Sequence, residues 1–151
     1  MELIAFDTDD KADGSGKARM TWICTSTITT YYMKSNDLDN KSWVDSDLRT
    51  WLRNGDVWDC LPQILKDNIV EVNKTYYDNR EKKTKTSTET IWIPSVREIF
   101  GPSYEPIYED SGIDYTNTFV HNNNRNYYWL RTSEINDIIR YKYVSTGTLY
   151  S

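Results

Sequence analysis

The segment WVDSDLRTWLRNG, Trp43–Gly55, is the clearest helix of the chain, and it is set among short strand-like runs. That combination constrains the fold most. Leu48, Trp51 and Leu52 fall at i, i+3 and i+4, the spacing that gathers side chains on one buried face. Asp45 or Ser46 can cap the start, Asp47 sits in the first turn, and Gly55 can end the helix. Arg49 and Arg53 lie on a neighbouring stripe, where solvent is expected.

Around this helix lie short strand-like runs and turns. Glu2–Phe6 and Lys17–Ile28 read as strands joined by DTDDKADGSG, in which Asp13 and Gly14 supply residues that tolerate positive φ. A short second helix is expected around Leu61–Asn68, with Pro62 in its first turn. Asn68–Tyr77 reads as a strand or extended exit. Asp78–Glu89 is polar and charged and reads as a mobile surface loop. Ile91–Ile93 is a short apolar strand. Ser95 and Glu98 then match a capping box, and Gly101 closes a helix of about two turns. Residues 102–126 form a long irregular region rich in Asn, Asp and Tyr, a kind of segment that is uncommon in compact domains and often functional. Strand-like YYWLRT, Tyr127–Thr132, follows, and Ile138–Ser151 carries a hairpin turn at Thr146-Gly147. The order of elements is α+β, with an antiparallel or mixed twisted sheet assembled from both ends of the chain, two main helices and one long loop.

The 151 residues suit one domain, 1–151. Only 38% are hydrophobic, while twelve Tyr and six Trp raise the aromatic share to 14%, so the core leans on aromatics. Trp22, Trp43, Leu48, Trp51, Leu52, Trp92 and Trp129 are the expected core, with Arg131 as a structural partner for a carboxylate such as Glu98 or Asp47, or else a solvated strand residue. The net charge of −5 argues against nucleic acid and anionic lipid as partners. No apolar run is long enough to span a bilayer, and no secretory signal is expected at the N-terminus. Cys24 and Cys60 read as semi-buried thiols, with a disulfide between them left open.

The ordered segments IAFDTDDKADGSGKARMTWI, WVDSDLRTWL, LPQILKDNIVEVNKT, TETIWIPSVREIFG and YYWLRTS resemble a domain-of-unknown-function family of gut Gram-positive bacteria and their prophages. Its hallmarks, W-x-x-S-x-L-R-x-W-L, I-P-S-x-x-E and W-L-R-[ST], correspond to Trp43–Leu52, Ile91–Glu98 and Tyr128–Thr132. The resemblance covers nearly the whole chain. It implies a C-type-lectin-like fold and a non-enzymatic phage or prophage protein, such as a tail-fibre, receptor-binding or decoration domain. It also implies assembly with other virion subunits and a location on the virion or an extracellular surface. Tyr128 stands where the family has a first Trp, and family members continue with a further strand, which implies either a shortened member or a sheet completed by a neighbouring subunit.

Catalysis has little support in the residues, which makes a surface-polysaccharide hydrolase the least favoured reading: His121 is the only His, and no Ser or Cys sits in a nucleophile motif. Calcium-dependent sugar binding would need a carboxylate-Pro-Asn triplet, and Glu105-Pro106 is followed by Ile107. The Asp-rich turn near the N-terminus places Lys11 where a calcium ligand would stand. No metal or cofactor is expected. The better-supported site is a ligand-binding loop formed by Tyr104, Tyr108, Tyr115, Asn122, Asn124 and Tyr127, a composition that combines rigid aromatic area with adaptable hydrogen bonding. Its ligand would be a host-surface glycan or protein. The alternative is that these tyrosines pack the loop onto its scaffold or onto other virion subunits.

Overall fold

The computed structural model describes residues 1–24, 26, 28, 30–33, 42–78, 80–100, 128–133, 141–145 and 148–150. They form an α+β arrangement of short helices and small antiparallel sheets. The strands are β1 (Glu2–Phe6), β2 (Met20–Ile23), β3 (Val72–Asp78), β4 (Lys83–Glu89), β5 (Tyr128–Ser133), β6 (Tyr141–Ser145) and β7 (Thr148–Tyr150). They pair as β1-β2, β3-β4 and β5-β6-β7. Among the described residues the helices are α1 (Asp47–Asn54), α2 (Asp56–Cys60), α3 (Gln63–Lys66) and α4 (Val96–Phe100), with a 3-10 turn at Trp43–Asp45 before α1.

Ser46, not Asp45, caps α1: its hydroxyl accepts the Arg49 N–H at 3.1 Å, satisfying one of the orphan amides of the first turn. Leu48 and Leu52 point into a core made with Met33, Trp43, Val57 and Tyr76, and Trp51, Trp92, Ile91 and Ile93 pack against it. Burial of each leucine contributes roughly 1.5–3 kcal/mol. The helix expected around residues 61–68 forms as α3, with Pro62 at its N-cap, and a further helix that the sequence reading did not expect, α2, begins directly after Gly55.

Several expectations need correction. Lys83–Glu89 is a full strand rather than a mobile loop, paired residue for residue with β3 from Val72↔Glu89 to Asp78↔Lys83. Its inward positions are Ser87 and Glu89, so apolar alternation, the usual strand signal, is missing. Thr84, Thr86 and Thr88 supply the β-favouring branched side chains instead. The turn is held by Asp78, whose carboxylate accepts the N–H groups of Arg80 and Glu81 at 2.9 and 3.2 Å, and by Lys82 in the left-handed region. Ile91–Ile93 is not a strand; it packs on the core as an irregular segment. In the N-terminal hairpin Gly14 and Gly16 take positive φ, but Asp13 does not: its carboxylate accepts the Ser15 N–H at 2.9 Å. Trp22 is 49% exposed rather than core. In β2 the inward position belongs to Thr21, which turns Met20 and Trp22 outward. Cys24 and Cys60 are exposed free thiols, not semi-buried ones. The Trp129 side chain and the turn expected at 146–147 lie outside the described residues; Ser145 pairs with Thr148.

Candidate functional site

Four charged side chains meet in the interior. β3 alternates buried and more exposed positions, and Lys74 occupies the buried position between Val72 and Tyr76. Its ammonium contacts the carboxylate of Asp9 directly and lies 2.9 Å from Glu98 Oε1. Asp9 and Glu98 are fully buried, and Lys74 is 3% exposed. The Trp92 ring covers the ammonium, with its centroid 4.4 Å from Nζ. Asp9 also accepts the Thr21 hydroxyl proton through Oδ2.

Glu98 belongs to α4, and the capping box legible in the sequence forms reciprocally. Ser95 N–H donates to Glu98 Oε2 at 2.9 Å, and Glu98 N–H donates to Ser95 Oγ at 3.1 Å. The same Oε2 accepts Arg131 Nη1 at 3.0 Å, so Arg131 is a buried partner of Glu98 rather than a solvated strand residue. Burial alone would push the Glu98 carboxyl up, but the charges of Arg131 and Lys74 and their hydrogen bonds bring it down to about 2. The cluster contains two carboxylates and two cations, which is how buried charge is tolerated.

Arg131 also fixes the backbone. Its Nη1 donates to Ile93 O at 2.8 Å, its Nε to Thr75 O at 3.2 Å, and its own N–H to Pro94 O at 2.8 Å. Val96 N–H donates to Thr132 Oγ1 at 2.9 Å. The chain entering residues 101–127 and the chain leaving them are thereby held side by side. The candidate ligand residues Tyr104, Tyr108, Tyr115, Asn122, Asn124 and Tyr127, and His121, lie outside the described residues.

A third fully buried carboxylate, Glu89, joins β4 to α1. Its Oε1 accepts Trp43 Nε1 at 3.0 Å and Arg49 Nε at 2.9 Å. Arg49 and Arg53 are therefore not solvated as expected. Their side chains are 18% and 28% exposed, and both donate to Thr88 O. Nearby, Tyr31 stacks on Trp51 with centroids 4.4 Å apart. These two rings, with Asp47, Thr50, Asn54 and Gly55, line an open cleft of about 370 Å³.

Sequence reasoning reached Glu98, Arg131 and Ser95 but missed Asp9, Lys74 and Glu89. Lys74 carried a signal: it alternates with Val72 and Tyr76, so it stands on the apolar side of its strand. Among the described residues no cluster of His, Cys, Asp or Glu is arranged to hold a metal ion. The Asp-rich turn directs its carboxylates to protein groups: Asp9 to Lys74, Asp10 to Lys17 at 2.7 Å and Asp13 to Ser15. No helix formed by the described residues is long and apolar enough to cross a membrane.

An α+β domain whose interior charges hold the base of a long Tyr/Asn-rich segment is a framework of a defined kind. The chain belongs to a family described as a domain of unknown function, DUF6273, whose model matches residues 19–149. No curated protein and no solved structure matches the chain. The family match begins at residue 19, so β1 and the cluster carboxylate Asp9 precede it.

Proposed function

We propose that the chain is a non-enzymatic binding domain of C-type-lectin-like architecture, carried on a phage or prophage particle as a tail-fibre, receptor-binding or decoration protein. It attaches to a host-surface glycan or protein through Tyr104, Tyr108, Tyr115, Asn122, Asn124 and Tyr127. One observation carries this reading: residues 93–100 and β5, which flank residues 101–127, are fastened to each other by the Glu98–Arg131 pair and by three hydrogen bonds that use the backbone groups of Ile93, Pro94 and Val96. A rigid base beneath a long polar-aromatic segment is how recognition loops are generally presented. The described buried charges are engaged with one another or with backbone groups, as in a scaffold. The particle setting rests on the motif resemblance.

Changing Tyr108, Tyr115 and Tyr127 together to Ala is expected to abolish binding in glycan-array and host-cell assays while leaving the far-UV spectrum intact. Unchanged binding would remove the assigned site.

A second reading, assembly against other virion subunits in a homo-oligomer, is favoured by the N-terminal hairpin. Phe6, Met20 and Trp22 are 66%, 52% and 49% exposed, and Phe6 pairs directly with Met20. Exposed apolar groups gathered on one face are typical of interaction surfaces. A stable monomer by light scattering at high concentration would count against it.

A further inference from the structure

We propose that Lys74 and Asp9 form an intramolecular amide bond, with Glu98 holding the amine in place and relaying a proton. This inference stands on the geometry of the buried cluster and not on the binding reading. A Lys ammonium is held directly against an Asp carboxylate, a second carboxylate lies 2.9 Å from the same nitrogen, and Asp9, Lys74 and Glu98 are buried. Holding nucleophile and electrophile in contact removes the entropic barrier that normally prevents amines and carboxylates from condensing.

The first proton passes directly from Nζ to Asp9 Oδ1, which it contacts, and turns the carboxylate into an electrophilic acid. The Nζ lone pair then attacks Asp9 Cγ and forms the C–N bond. The Thr21 hydroxyl, donating to Asp9 Oδ2, stabilises the oxygen on which charge develops. A second proton moves from Nζ through Glu98 to Oδ1, the Cγ–Oδ1 bond breaks, and Oδ1 departs as water. Of the ammonium's three protons, two leave in that water and one remains on the amide nitrogen. No oxidant or co-reactant is needed.

Charge supports the outcome. The reaction removes one cation and one anion together, and Glu98 with Arg131 remains as a paired buried couple. The new amide N–H keeps Glu98 as its acceptor. Trp92, stacked over Nζ, keeps the site dry on that side. The bond would join the N-terminal hairpin to β3 across 65 positions of sequence. That hairpin otherwise meets β3 through the Lys11↔Val72 bridge and backbone bonds such as Asn73 N–H to Asp10 O at 2.8 Å.

The test is the intact mass of the purified full chain, followed by tryptic mapping. The expected mass is one water below that of the sequence, with peptide 1–11 joined to peptide 67–80 and no cleavage at Lys74. Lys74→Arg and Glu98→Gln are expected to restore the full mass, and Asp9→Asn to lose ammonia instead of water. A folded wild-type chain at full mass, with peptides 1–11 and 67–74 recovered separately, would overturn the proposal without recourse to any variant. A water loss that persists in Lys74→Arg would also overturn it, because it would place the dehydration elsewhere, as in an Asp-Gly succinimide.

Discussion

Replacing Glu89 with Ala separates burial from pairing in a way the structure makes quantitative. Glu89 is fully buried and serves two donors, the indole N–H of Trp43 and the guanidinium of Arg49. Trp43 is fully buried as well, so its N–H cannot turn to water when the carboxylate is gone. An unsatisfied buried donor costs roughly 1–3 kcal/mol. Arg49 is 18% exposed and keeps its bond to Thr88 O at 3.2 Å, so it relaxes partly into solvent. The full loss of roughly 3–5 kcal/mol seen when a buried pair is broken is therefore an upper bound. The expected destabilisation is about 3 kcal/mol, measured as a shift in the urea midpoint at unchanged slope. Glu89→Gln keeps an acceptor for Trp43 and is expected to lose less. Adding Trp43→Phe removes the orphaned donor, so the two substitutions together should fall short of their sum. A loss below about 1 kcal/mol for Glu89→Ala, or strict additivity in the cycle, would refute the assignment of Glu89 as the acceptor that holds α1 to β4.

Three further outcomes follow from single contacts. At Gly55 a Cβ would lie 2.6 Å from Trp51 Cδ1 and 2.7 Å from Trp51 O, so Gly55→Ala should destabilise by roughly 1–3 kcal/mol in denaturant titration although its φ is negative. Ser46→Ala removes the α1 cap and should lower stability by about 1 kcal/mol, with Ser46→Asp restoring most of it. Glu98 has a depressed folded pKa, so its contribution is complete above its ordinary value of 4.5 and is lost as pH falls through about 2. Melting temperature followed from pH 5 down to pH 2 should therefore decline across that window, and the decline attributable to this group should vanish in Glu98→Gln.

The parts of the fold legible in sequence were those written in neighbouring residues. The face formed by Leu48 and Leu52, the Ser95–Glu98 box and the hairpin glycine Gly14 each depend on groups a few positions apart. Strand β4 escaped because its inner positions are polar, and Trp22 was misplaced because aromatic character says nothing about which face of a strand looks inward. Arg131 was read as either solvated or paired, and only its position against Glu98 decided between them.

The sequence by itself determined where α1 and α4 begin, one hairpin position that needs glycine, and the α+β class. Tertiary structure alone decided which polar residues are buried. Desolvating a charge is tolerable only when its counter-charge arrives, and here the partners come from far along the chain. Lys74 meets Asp9 across 65 positions, Arg49 meets Glu89 across 40, and Arg131 meets Glu98 across 33. No local pattern encodes such meetings, because they depend on how whole elements pack rather than on the spacing of residues within one.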